Sequence, residues 1–301
     1  MYLLAEAFPF VKRFRIPFQR DQVMLLLAAF NELVLGVDTY LAHSITGTLK
    51  AGEWIPVIFG LAAGILLFLA GWIARFRRSL ANIIASVVFL ASVAVGILGS
   101  YFHLHRALLP DAPAGQQVTA LLLVYGPPLL GPITFALLGF LGLSAAWQEE
   151  PVDSGIVRLL GKVRIKMPLS KTRAYFFMTA LFTLATVLSS VLDHARTNFE
   201  NPWLWLPTTI GVFAVLVTTA MGAFERIERS DLITYILAMA LMALVGVLGD
   251  FFHVEYNLTG QGAILGERFI HGAPFLAPLL YANMALLGLI VLLDPSPDSK
   301  E

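Results

Sequence analysis

The six histidines are the residues best suited to chemistry here, and four of them recur at matched spacings. His43 and His194 stand 151 residues apart, and His103 and His253 stand 150 apart. Carboxylates accompany them: Asp193 adjoins His194, and Asp250 sits three residues before His253, on the same face if the stretch is helical. Imidazole is the commonest protein ligand for transition metals and the usual axial ligand of haem. A carboxylate behind an imidazole fixes its tautomer and raises its basicity. Imidazole with carboxylate suits iron, copper, zinc or manganese, and selection among them is not written in residue type. His43, His103, His194 and His253 are therefore the expected ligands of a haem or transition-metal centre, with Asp193 and Asp250 as ligands or as acceptors behind them. His103-Leu104-His105 also forms a His-x-His triplet, but at a helix end the two rings diverge.

Two longer stretches carry these residues. Gly99-Ser100-Tyr101-Phe102-His103 is followed, after a polar loop, by Gly126-Pro127-Pro128-Leu129-Leu130-Gly131-Pro132. Gly249-Asp250-Phe251-Phe252-His253 is followed by Gly272-Ala273-Pro274-Phe275-Leu276-Ala277-Pro278. The Gly-x-Pro-x-x-x-Pro openings suit helix packing, since proline is tolerated in a first helical turn and small neighbours admit another helix closely.

The elements that must position these side chains follow from composition. The chain of 301 residues is 58% hydrophobic and 13% charged, with a mean hydropathy of +0.78; an average soluble domain carries about 25% charged residues. This is the composition of a polytopic membrane protein. Its apolar runs are about 20 residues long without strict alternation, which predicts helices rather than barrel strands. Eight spans are expected, at 22–43, 54–74, 80–103, 118–147, 174–194, 204–224, 231–253 and 273–293. Pro127, Pro128 and Pro132 predict a broken start to the fourth. Absence of cysteine excludes disulfides, thiolate metal sites and covalent c-type haem.

The shift of 151 also relates Trp54-Ile55-Pro56 to Trp205-Leu206-Pro207, and a shift of 146 relates Pro128, Pro132 and Gly142 to Pro274, Pro278 and Gly288. The expected fold is all-α: eight transmembrane helices as two tandem four-helix units, a parallel internal repeat about an axis along the membrane normal. Residues 1–148 form the first unit, 149–173 a cytoplasmic interfacial linker and 174–301 the second unit. Fifteen Lys and Arg residues fall on the side of the N-terminal segment, the linker and the turns after spans two and six, against four on the other side (Lys50, Arg106, Arg196 and Arg268). The positive-inside rule then puts both termini in the cytoplasm, in a bacterial inner membrane, and all six histidines toward the extracytoplasmic face.

Smaller expectations follow. The stretch before Arg20 is an interfacial segment rather than a secretory signal. Ile156, Leu159, Leu160 and Val163 predict a short helix on the inner membrane surface, with a solvated loop as the alternative. Trp54, Trp203 and Trp205 form the outer aromatic belt. Asn31, Asn82 and Asn283 bond between helices. Glu32 and Asp38 lie within span one, where ionisable groups are costly and usually functional. Arg196 and Arg268 are suited to an anionic headgroup or a haem propionate.

The layout is similar to that of the haem A synthase family, with two four-helix units and histidine pairs near the outer face. The likeness stops there: that family's cysteine-bearing loop is absent, and these histidines end odd-numbered spans. The function expected from the residues is a redox or electron-transfer centre of haem or metal, possible partners being the lipid bilayer and other subunits of a membrane complex, with no nucleic acid. A metal-dependent lipid hydrolase, with three histidines on zinc, and a non-catalytic anchor or quinone-binding subunit are the alternatives.

Overall fold

The computed structural model describes residues 3–13, 18–45, 47–108, 115–117, 119–159, 163–260 and 265–293. In chain order its helices are α1 (Leu3–Ala7), α2 (Arg20–Ser44), α3 (Trp54–Ile73), α4 (Arg78–Ala107), α5 (Ala120–Tyr125), α6 (Leu130–Ala146), α7 (Lys171–Ala195), α8 (Trp205–Ala223), α9 (Arg229–Thr259), α10 (Leu265–His271) and α11 (Leu279–Val291). Six of them, α2, α3, α4, α7, α8 and α9, are long and apolar enough to cross a membrane. The outward faces fit that solvent: Ile58, Ile65, Leu69 and Trp72 of α3 and Val87, Leu90 and Ile97 of α4 are exposed. Trp54, Trp203 and Trp205 are exposed too.

The fourth apolar run is broken at its start, as its prolines predict, and the helix of the eighth is shorter than the sequence predicts. Residues 118–147 split at Gly126–Leu129 into α5 and α6, and α6 has 17 residues. The last run starts its helix only at Leu279, leaving 13 residues. At about 1.5 Å per residue α11 is roughly 20 Å long, less than a hydrocarbon core of about 30 Å. The cause is shared: proline supplies no N–H and disfavours helical geometry in the residue before it, so each helix starts late.

Helix packing is regular. α2 packs on α3, α3 on α4, α4 on α6 and α6 back on α2; α7 packs on α8, α8 on α9, α9 on α11 and α11 back on α7. The two groups of four meet where α6 lies on α7 and α11 on α2. Close approach depends on glycine: a Cβ at Gly60 of α3 would lie 2.7 Å from the Glu32 carbonyl oxygen and 2.8 Å from Gly36 of α2. At the seam Asn31 and Asn283 form a reciprocal amide pair, with Nδ2 to Oδ1 distances of 3.4 and 3.0 Å. Asn82, expected to bond likewise, makes no side-chain hydrogen bond among the described residues.

The ends of α2 and α7 that begin the two groups are tied by a buried polar network. Arg20 and Lys171, two of the fifteen cations in the charge count, are 1% and 3% exposed. Lys171 Nζ donates to Asp21 Oδ2 and to the Trp147 carbonyl, each at 2.6 Å. Arg20 donates to Thr172 Oγ1 at 2.6 Å and lies over the Tyr175 ring, whose hydroxyl donates to Asp21 at 3.1 Å. Glu149 accepts the Lys171 backbone N–H at 3.0 Å and so caps α7.

The linker corrects one expectation. In place of a surface helix it forms a three-stranded antiparallel sheet, β1 (Gln148–Glu149), β2 (Ile156–Arg158) and β3 (Arg164–Lys166), with Val157 opposite Ile165. β-Branched Ile156 and Val157 favour strand, and the turn before them needs positive φ, which Asp153 (56°) and Gly155 (74°) supply. Leu160 and Lys162 of the expected helix lie outside the described residues. The N-terminal segment is also less interfacial than expected. Leu3, Ala5 and Ala7 are buried, and α1 packs on α9.

Candidate functional site

The four recurring histidines lie in the last turns of α2 and α7 and near the ends of α4 and α9, at one end of the molecule and opposite the Arg20–Lys171 network. In the first group the rings of His43 and His103 are 6.1 Å apart between centroids and nearly perpendicular, at 86°. Their helices, α2 and α4, are diagonal in the cycle of packing just described, so the pair reaches across the group rather than along one seam. In the second group His253 acts electrostatically on both His194 and Asp193. Again the helices, α7 and α9, are diagonal.

Each ring is oriented through Nδ1. His43 Nδ1 lies 2.9 Å from the Thr39 carbonyl, one turn back on its own helix. His103 Nδ1 lies 2.9 Å from the Pro128 carbonyl, and His253 Nδ1 lies 3.0 Å from the Pro274 carbonyl. A carbonyl only accepts, so these rings carry their proton on Nδ1 and keep the lone pair on Nε2, the atom that binds metal. His194 is held less tightly, with Nδ1 at 3.5 Å from Ser190 Oγ and the Phe199 ring edge-on at 5.9 Å.

This geometry gives the paired prolines a role that packing alone does not. The residue four positions after Pro128 is Pro132, and four after Pro274 is Pro278. Neither has an N–H to return to the carbonyl behind it; the Pro274 carbonyl accepts the Ala277 N–H at 3.1 Å and still has its second lone pair for His253. The second proline also seats the histidine's helix: a Cβ at Gly99 would meet Pro132 Cβ at 2.9 Å, and one at Gly249 would meet Pro278 Cβ at 2.9 Å. Both glycines lie one turn before their histidines. In the second group, Asn257 adds a clamp that sequence reasoning missed. It is buried, donates to the Ala273 carbonyl at 2.8 Å and accepts the Ala273 N–H at 2.9 Å, next to Pro274. A buried Asn one turn beyond a histidine was the available signal.

The remaining candidates separate. Asp193 is half-buried, pairs with Arg196 at 3.9 Å and faces His253. Arg196 Nε donates to the Val124 carbonyl at 2.9 Å, tying α7 to α5. Asp250 is half-buried and pairs with no side chain among the described residues. His105 is exposed beside Tyr101, and His271 is exposed and pairs with Glu267 at 3.2 Å. Arg268 is spent on the Leu258 and Gly260 carbonyls at the end of α9, rather than presented to an anion. Beside the first pair, Arg106 and Glu53 form an ion pair at 3.9 Å and both act on His103.

Among the described residues no three His, Asp or Glu side chains gather closely enough to hold an ion together. The arrangement offers two imidazoles at a time. A metal with two imidazoles on opposite sides, at metal–nitrogen bonds of about 2.0–2.1 Å, needs ring centroids roughly 6.3 Å apart, against about 5 Å for two ligands of a tetrahedral ion. The His43–His103 spacing of 6.1 Å fits the opposed arrangement. The chain matches no family model, no curated protein and no solved structure, so the site stands on its own geometry.

Proposed function

We propose that the chain is an integral membrane electron-transfer protein that binds two haems, one between His43 and His103 and one between His194 and His253. The observation that carries this reading is the 6.1 Å spacing of the His43 and His103 rings on diagonal helices, with His194 and His253 at the equivalent positions of the second group. Two protein donors are too few for a bare ion, and haem brings the other four nitrogens itself. A haem held on both faces has no open position for substrate, which suits electron transfer better than oxygenation or hydrolysis. The hydrolase alternative needs three donors on one zinc, and among the described residues no three gather.

The same reading takes the chain as two tandem four-helix units, with α6 and α11 completing the spans. Supporting it, equivalent contacts recur at constant shifts. His103–Pro128 and His253–Pro274 differ by 253 − 103 = 150 and 274 − 128 = 146, and Gly99–Pro132 and Gly249–Pro278 differ by the same 150 and 146. The charge bias puts the histidines at the extracytoplasmic face of a bacterial inner membrane and both termini inside. Outer-face haems take electrons from, or give them to, a partner on that side, either a soluble carrier or another subunit of a membrane complex.

The test is the visible spectrum of purified protein, as isolated and after haem addition. The proposal requires a Soret band and the sharp reduced bands of six-coordinate, low-spin haem. Stoichiometric metal without such a spectrum would overturn haem in favour of a metal centre, and neither would favour the anchor subunit.

A further inference from the structure

A second site lies in the middle of the first group of helices, far from the histidines. Glu32 is the thirteenth of the 25 residues of α2 and is fully buried. Its Oε1 lies 2.6 Å from Ser92 Oγ of α4, and the same hydroxyl lies 2.8 Å from the Phe135 carbonyl of α6. Glu32 Oε2 has no hydrogen-bond partner. Among the described residues no cation is in position to neutralise a carboxylate here. α3 and α6 contain no titratable residue, and those of α4 (Arg78, Tyr101, His103, His105 and Arg106) sit nine or more positions from Ser92. On α11 Tyr281 is turned against Gly211 of the second group, and α10, with Glu267, Arg268 and His271, meets α2 toward its histidine end. On α2 itself Arg20, Asp21 and His43 are more than two turns away, while Asp38 and Tyr40 lie on its exposed side.

Protons can be counted at this junction. Ser92 has one hydroxyl proton and two acceptors within hydrogen-bond distance. The Phe135 carbonyl has no proton to give. Both contacts are satisfied together only if Glu32 carries a proton on Oε1 and donates it to Ser92, which passes its own to Phe135. A bare carboxylate in this apolar setting, half unpartnered, would be far more costly than a neutral acid.

We propose that Glu32 and Ser92 form a proton-binding site at mid-membrane. Loaded, Glu32 is a neutral carboxylic acid donating to Ser92. On unloading, the Oε1 proton leaves to water, Glu32 becomes a carboxylate, and the Ser92 hydroxyl turns from the Phe135 carbonyl to Glu32. The site exchanges one proton and no electrons, and does not depend on what the histidines bind.

Infrared difference spectroscopy of the full-length protein, recorded as pH is stepped, tests this. The carbonyl stretch of a protonated carboxylic acid should be present at neutral pH, vanish as pH rises and be absent from Glu32→Gln. Ser92→Ala should keep the band but move it in frequency, since the hydrogen bond at Oε1 is lost. A wild-type spectrum whose acid bands all survive in Glu32→Gln would overturn the proton site. If Glu32→Gln fails to fold, Ser92→Ala decides: a band unmoved by that substitution would overturn it equally.

Discussion

A histidine whose Nδ1–H is spent on a backbone carbonyl is a prepared ligand, because the lone pair on Nε2 is aimed before any metal arrives. His103 and His253 each meet a proline carbonyl that a second proline, four residues on, cannot reach with an N–H, although the Pro274 carbonyl also accepts from Ala277. Two predictions belong at this scale. His103→Ala and His253→Ala should each abolish one of two haem sites, whereas His105→Ala and His271→Ala should leave haem content unchanged; haem per chain measures this. Pro132→Ala and Pro278→Ala restore an N–H that competes for the carbonyl, at Pro274 in addition to the Ala277 N–H already bonded there. Each should weaken haem affinity in its own group by about 10–100-fold, as removal of an orienting partner does, read by haem titration. Residue types and spacing made the histidines legible in the sequence. The role of the prolines was not, because which acceptor a proline leaves open depends on what another helix brings to it.

At the scale of elements, helix contacts are set by where glycine lets backbones meet. Beyond Gly60 on Gly36, a Cβ at Gly246 of α9 would lie 2.5 Å from the Ala282 N of α11, and one at Gly96 of α4 would lie 2.9 Å from the Ala136 Cα of α6. Gly96→Val and Gly246→Val should therefore lower stability by about 1–3 kcal/mol, as overpacking does, while Gly71→Val, which meets nothing within 4 Å, should change it by less than about 0.5 kcal/mol. Thermal unfolding in detergent distinguishes them. Long apolar runs announced the six long helices, since transfer free energy summed over a window decides them. The split at Gly126–Leu129 was legible from its prolines. The sheet at residues 148–166 was not, because spacing of Ile156, Leu159 and Val163 suits a helix until the positive-φ turn at Asp153 and Gly155 is known.

For the whole molecule, the two groups of helices are joined by polar contacts that include the Asn31–Asn283 pair and the Arg20–Asp21–Lys171 network. The Asn31–Asn283 pair is a modest tie, since hydrogen bonds between membrane helices average about 0.6 kcal/mol. The Arg20–Asp21–Lys171 network is different in kind. Lys171→Met removes the 2.6 Å partner of Asp21 while Arg20 at 3.4 Å and the Tyr175 hydroxyl remain, at a cost of about 1–3 kcal/mol. Chemical denaturation in detergent should show Lys171→Met less stable than Asn31→Leu; the reverse order would show that the seam is held by the amides. The charge bias assigned these basic residues to the cytoplasmic side and said nothing of their burial. A charge count carries no information on what folds back over a helix start.

The central claim is that two opposed imidazole pairs each hold one haem. Titrating the purified chain with haem and counting the equivalents that turn six-coordinate and low-spin tests it most directly. The account predicts saturation at two per chain, falling to one in His43→Ala and to none when His43 and His194 are both replaced. A chain that takes up no low-spin haem, or keeps two equivalents after both replacements, would contradict it.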